Sequence, residues 1–331
     1  MSAAMPTMDR NLALEAVRAT EGAALAASRQ MGRGDERAAD QAAIAAMHAA
    51  LCGLDIAGTV VIGEGEQDQA PLLYIGERLG AGRDGPLMDI AVDPLEGNTT
   101  CAKGGDNAMA VVAMAEHGGF LDTPDVYMDK IAVGPHLPSG VVDLDETPVN
   151  NLRNLAKAKK VEIADLLICI LDRPRHEELI AKVREAGARI IQITDGDLSG
   201  VIATAHPQAG IDMYMGRGGA YQGVLAGAAL YCVGGQMQGR LVLRSDSERN
   251  AARRRGMTDF DRKYQLTDLV HGEVMFAVTG VTDGPMLRGV RRYKGGATTH
   301  SMVVRSKSGT VRYIEAHHNS ASRAGLDWLA G

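Results

Sequence analysis

The sequence predicts an α/β (α+β) fold, helices packed on sheets, on three observations. Apolar residues recur at helical spacing near the N-terminus, short β-branched runs end on glycine turns, and residues 166–197 read strand, helix, strand. In order along the chain, residues 9–31 carry Leu12, Val17, Ala23, Ala24 and Ala27 on one helical face, ended by the glycines of MGRGDE. ADQAAIAAMHAAL continues as a second helix. TVVIGEGE is a strand running into a glycine turn, and LMDIAVDP and NAMAVVAMAE are the next strands. LLICILDRPRHEELIAKVREAGARIIQITDGD forms a βαβ unit with Pro174 just inside the helix start. IDMYMGRGG is a strand into a glycine loop, followed by the helix AYQGVLAGAALYCV. EVMFAVTGV and HSMVVRSKSGTVRYIEAHH return to strand character, with a hairpin at Lys307–Gly309. The changes of rhythm suggest three regions, 1–150, 151–235 and 236–331, the last rejoining an earlier sheet.

Composition narrows the function. A formal charge of −6 argues against nucleic acid or an anionic membrane as partner, and an aromatic share of 4% leaves little surface for stacking bases. Arg253, Arg254 and Arg255 read as a solvated helix face; the group Arg288, Arg291, Arg292 and Lys294 could reach a phosphate or an oligomer neighbour but reads better as solvated surface. The opening residues have neither the basic nor the apolar segment of a signal peptide, and no stretch reaches the length of a membrane span. Cys52, Cys101, Cys169 and Cys232 are too scattered for a zinc site or a disulfide scaffold, so a cytoplasmic location with reduced thiols is expected.

The chemistry lies in the acids. In DIAVDPLEGNTT an apolar strand stops on Asp93 and Pro94, and Glu96 follows before Gly97, which permits a sharp turn into a helix. Like charges meeting there would raise a pKa or cost several kcal/mol, and a hard divalent cation with its preference for oxygen removes the conflict. Taken alone, DPLEG could also be an acidic helix cap with a surface partner. GEGEQD adds Glu64, Glu66 and Asp68 after a strand, and GRGDERAAD adds Asp35 and Asp40 near a helix start. Three such clusters in the first hundred residues suit a multi-metal carboxylate site. GEGE is not a dinucleotide loop, because its acids would repel a pyrophosphate and the G-x-G-x-x-G spacing is missing.

These motifs resemble the lithium-sensitive, Mg²⁺-dependent phosphatases, and within them the class II fructose-1,6-bisphosphatases. VIGEGEQDQAPLLYIGE, DIAVDPLEG, PDVYMDKIAVGP, RPRHEELI, TDGD and GRGGAYQG occur in that family's order, over about residues 9–317. The resemblance implies a layered αβαβα sandwich and hydrolysis of the 1-phosphate of fructose 1,6-bisphosphate with Mg²⁺ or Mn²⁺. It places Asp40, Glu64, Asp93 and Glu96 as metal ligands, and Asp68 and Glu66 beside the attacking water. Tyr127, Arg173, Pro174, Arg175, Asp195, Gly196, Asp197 and Gly219 hold the sugar bisphosphate, together with the Glu96–Gly97–Asn98 turn. Arginine forks suit the phosphate that does not react, and the DGD carboxylates suit sugar hydroxyls. On the residues alone, RPR could equally be a surface pair, DGD a plain turn and Tyr127 a core residue.

Two positions depart from the family pattern. Asn98 stands where a threonine hydroxyl orients the water, which leaves that task to Asn98 as an amide or to Thr99. Gln222 stands at a metal-ligand glutamate, where an amide oxygen is a weaker donor. The alternatives are therefore sedoheptulose 1,7-bisphosphate as a second or preferred substrate, and an impaired, sugar-phosphate-binding relative. Enzymes of this kind commonly form homo-oligomers.

Overall fold

The computed structural model describes residues 9–82 and 85–319. The first eight residues, where the signal-peptide pattern is missing, lie outside that range. The chain divides into two compact units, Met1–Gly119 with Gly272–Gly331, and Phe120–His271.

The first unit opens with α1 (Asp9–Ala27) and α2 (Glu36–Cys52), followed by β1 (Ala57–Ile62), β2 (Arg78–Leu79), β3 (Leu87–Glu96), α3 (Asn98–Lys103) and β4 (Met109–Glu116). Buried alanines line both long helices, among them Ala16, Ala19, Ala23, Ala39 and Ala43, and small side chains let the two backbones pack closely. Asp35 caps α2 by accepting the Ala38 N–H at 2.9 Å. The strand containing Asp93 does not stop at Pro94, as its sequence suggests. β3 continues to Glu96, and its pairing with β4 shifts register between Asp93 and Glu96. A bulge takes the proline's missing N–H out of the ladder, so the strand can pass through it.

The second unit contains β5 (Tyr127–Val133), α4 (Pro148–Lys159), β6 (Leu167–Leu171), a 3₁₀ turn at Pro174–His176, α5 (Glu177–Glu185), β7 (Arg189–Ile193), α6 (Asp197–Ala203) and β8 (Met213–Gly219). It continues with α7 (Ala220–Val233), β9 (Gln236–Val242), α8 (Asp246–Arg254), β10 (Tyr264–Gln265) and α9 (Leu266–Leu269). Its six strands run in the order β10-β9-β5-β8-β6-β7, with β6 parallel to both β7 and β8. Ile131, Leu152, Leu155, Ile168, Ile170 and Met213 lie in its core.

The chain then returns to the first unit as β11 (Val274–Gly280), β12 (Arg291–Tyr293), β13 (Gly296–Arg305) and β14 (Thr310–Asn319). β11 pairs antiparallel with β4, and the sheet reads β12-β13-β11-β4-β3-β1-β2 with β14 on the outer side of β13. Both units are thus mixed sheets covered by helices, in keeping with a layered αβ sandwich.

The unit boundaries differ from the three regions suggested by the sequence. β5 is the centre of the second sheet, between β8 and β9, so the second unit begins before residue 150. Residues 236–271 stay with that sheet through β9, and only β11–β14 rejoin the first. The change of rhythm near residue 150 marks the start of α4.

Among the described residues no disulfide joins the four cysteines, and only Cys52 is exposed. No described helix is long and apolar enough to cross a membrane. Ile90, fully buried in β3, belongs to the core beneath α1 and α2. Ile90→Ala should cost about 2–5 kcal/mol in urea unfolding, the range for a core side chain that leaves a cavity.

Candidate active site

In the first unit, three elements bring acids together. The turn after β1 is anchored by the Glu64 N–H donating to the Leu73 carbonyl at 3.0 Å and the Ile75 N–H donating to Gly65 O at 2.9 Å. That anchoring half-buries Glu64 and leaves Glu66 and Asp68 exposed. Asp40 comes from α2 and Asp93 from the bulged end of β3, where Glu96 is buried. Burial, followed by the charges of Asp93 and Asp40, pushes the Glu64 carboxyl up to about 8. Burial and Asp93 push Asp40 up to about 6, against the lowering effect of a hydrogen bond from Asn98.

Asn98 reaches Asp40 because of the turn before it. Gly97 adopts φ 88° and ψ 47°, left-handed geometry that a side chain would strain, and its carbonyl accepts the Cys101 N–H that starts α3. The Gly32 and Gly34 N–H groups donate to Cys101 O and Ala102 O, tying the approach to α2 onto α3. The Asn98 amide then donates to Asp40 Oδ1 at 3.0 Å. Thr99, next in α3, is partly exposed.

Among the described residues, no group of three or more His, Cys, Asp or Glu side chains is drawn closely enough to hold an ion as it stands. The acids lie instead within each other's field, and the donor set fits a hard divalent cation: all oxygen, partly desolvated and mutually repelling. A test follows from the sign of the shifts. Folded-state pKa values above the usual carboxylate range mean that the native chain holds protons the unfolded chain has lost. Metal-free stability should therefore fall as pH rises from about 4 through about 6 for Asp40 and about 8 for Glu64. Glu21, pushed up to about 7 by burial, adds to the same slope. Saturating Mg²⁺ or Mn²⁺ should raise Tm by about 5 °C at pH 8 and hardly at all at pH 5, where protons compete. Equal shifts at both pH values in scanning calorimetry would contradict the assignment.

The second unit gathers cations around Tyr127, the first residue of β5. The Arg175 guanidinium lies 5.0 Å from its ring centre, and that of Arg244, held by Glu248, lies 4.4 Å away. Arg175 donates through Nε and Nη2 to the Arg217 carbonyl, and Arg217 forms a fork with Asp129 at 2.7 and 2.9 Å. Arg173, just before Pro174, is 3.9 Å from Asp195. His176 donates through Nδ1 to Leu171 O and accepts the Arg217 N–H at Nε2, both at 2.8 Å; burial pushes its pKa down. These bonds hold it as one neutral tautomer.

Gly196 lies between Asp195 and Asp197 in left-handed geometry at the start of α6. Asp197 is buried and ion-paired to Lys130. At the start of α7, Gln222 folds back so closely over Gly219 that a Cβ there would lie 2.0 Å from its Oε1.

Sequence reasoning did not find Lys130, Arg217 or Arg244. The strand register carried a signal: Tyr127 pairs with Gly219 and with Val242, which brings the ends of β8 and β9 to its flanks. The basic group near residue 292 has internal partners. Arg291 pairs with Asp283, and Arg292 donates to the Leu25 carbonyl and to Ser28 Oγ at the end of α1.

Residues 10–318 match the family described as bacterial fructose-1,6-bisphosphatase, glpX-encoded. The chain belongs to this family. Two Synechococcus proteins (strains JA-2-3B'a(2-13) and JA-3-3Ab), each named D-fructose 1,6-bisphosphatase class 2/sedoheptulose 1,7-bisphosphatase, are 42% identical over 94% of this chain and 96% of their own. A third protein of that name, from Synechococcus elongatus, is 41% identical over 94% of this chain and 97% of its own. As a glpX-type bisphosphatase the chain is a phosphoric monoester hydrolase of carbohydrate metabolism.

Proposed function

We propose that this bisphosphatase removes the 1-phosphate of fructose 1,6-bisphosphate, and accepts sedoheptulose 1,7-bisphosphate as well, with Mg²⁺ or Mn²⁺. The observation that carries the proposal is the shared field of Asp40, Glu64 and Asp93. Half-buried acids of which Asp93 pushes up both Asp40 and Glu64, and Asp40 also pushes up Glu64, are poorly suited to an empty protein and well suited to cations. Asp40, Glu64, Asp93 and Glu96 would hold the ions, which when bound supply Lewis acidity to the phosphoryl group and to water.

The other steps fall to the chain. Asp68 and Glu66, exposed beside Glu64, orient the attacking water, helped by Asn98 and Thr99 at the start of α3. Asn98 also holds the Asp40 carboxylate in place. Arg173, Arg175 and Arg244 grip the phosphate that is not cleaved, with Tyr127 as a platform and Pro174 fixing the approach to Arg175. Asp195, Gly196, Asp197 and the Gly219 turn hold the sugar. Phosphate is released by direct attack of water, with no covalent enzyme intermediate.

We place the protein in the cytoplasm, as a homo-oligomer serving gluconeogenesis or the Calvin cycle, with no nucleic acid or membrane partner. Two features favour slow turnover: the Asn98 amide is already bonded to Asp40, and Gln222 adds no charge. Phosphate release from both sugars, with and without Mn²⁺ or Mg²⁺, tests the reading. Metal-dependent release from either supports it; tight calorimetric binding with no release would show a binder instead.

A further inference from the structure

Resting on the reading of Asp197 and Gly219 as sugar contacts, we infer that Lys130 is a positioning residue for the substrate. Its fully buried ammonium fixes both groups from below. Lys130 lies mid-strand in β5 with a side chain that is 0% exposed. Its Nζ donates to Asp197 Oδ2 and to the Gly219 carbonyl, the latter at 2.8 Å. One cation therefore joins the first residue of α6 to the residue that precedes α7, and both carry proposed sugar contacts.

The surrounding backbone is cut to fit this pair. On the neighbouring strands Lys130 is registered against Gly216 and Gly239, so neither directly opposite position carries a side chain. A Cβ on Gly218 would lie 1.8 Å from Asp197 Oδ2 and 3.1 Å from Lys130 Nζ. A Cβ on Gly223 would lie 3.3 Å from Lys130 Cδ. The glycines of GRGGAYQG thus make room for an ion pair inside the protein, where a phosphate-cradling loop would have turned its N–H groups outward. Burying a lysine here is costly unless both partners are present, and such a cost suits a pair that fixes geometry. Nothing in the arrangement moves a proton: Lys130 acts through Asp197 and Gly219, which touch the sugar.

Steady-state kinetics on the full-length, metal-loaded protein test the inference. Lys130→Met should raise KM for fructose 1,6-bisphosphate about tenfold or more while kcat changes by less than about threefold. The Mn²⁺ activation midpoint should stay where it is. Lys130→Arg should not rescue KM, because the slot is sized for a lysine stem. Should Lys130→Met alone fail to fold, Lys130→Met/Asp197→Asn, which leaves no charge buried, carries the test. Its KM should equal that of Asp197→Asn alone, since residues acting as a unit do not add. A further tenfold rise in the double variant, or a Lys130→Met protein with KM within about twofold of the parent, overturns the inference alone. An unchanged KM in Asp197→Asn overturns it together with the sugar-contact reading on which it rests.

Discussion

An Asp93→Asn protein should lose phosphate release by about 10³-fold or more in kcat, about 4 kcal/mol of transition-state stabilisation, while still folding cooperatively. Asp93 raises the pKa of both Glu64 and Asp40, so it is the acid whose charge the other two feel in common. The amide keeps the shape and removes that charge. The same variant should be as stable as the parent without metal at pH 8, or more so, because a source of repulsion has gone. It should also show little gain in Tm from Mn²⁺. Loss of activity combined with a weaker fold would indicate a structural role, and retained activity would contradict the metal assignment outright.

The second large effect is a gain. Asn98→Thr combined with Gln222→Glu should raise kcat about 10²-fold, the lower end of what one well-placed proton-handling group contributes. The first substitution would restore a hydroxyl where the Asn98 amide is spent on Asp40, and the second would replace the neutral Gln222 amide with a charged carboxylate. Each single variant is informative. In Asn98→Thr the hydrogen bond that lowers the Asp40 pKa is lost, so the rising limb of its pH–rate profile should move to higher pH. A double variant no faster than the parent would show that these two positions do not limit turnover.

Local pattern made much of the architecture legible. The alanine-rich helices, the βαβ unit and the hairpin at Lys307–Gly309 all follow from spacing and turn chemistry, and the structure contains them. The glycine turn at Gly97 was equally plain, because the run Asp-Pro-Leu-Glu-Gly leaves the backbone few options. Long-range pairing was not legible. Asp40 and Asn98 are 58 residues apart in the chain and meet only through the loop that ties α2 to α3. Lys130 looked like any strand lysine, since its burial depends on Asp197 and on glycines of three other segments. Arg244 needed the β5–β9 register to reach Tyr127. The region boundaries failed for a similar reason: composition changes where α4 begins, whereas sheet membership is decided by β5 and β9.

The first unit is written in two pieces, with residues 120–271 between them, and this has a consequence for biosynthesis. The inner edge of β4 has no neighbour until β11 has been made, more than 150 residues later. The contiguous second unit can close its sheet while the ribosome is still working, whereas the acid-bearing unit cannot. During that interval β4, apolar along almost its whole length, presents an open strand edge of the kind that recruits other chains. A nascent polypeptide halted before residue 274 would therefore carry a finished second unit and an adhesive, unfinished first one.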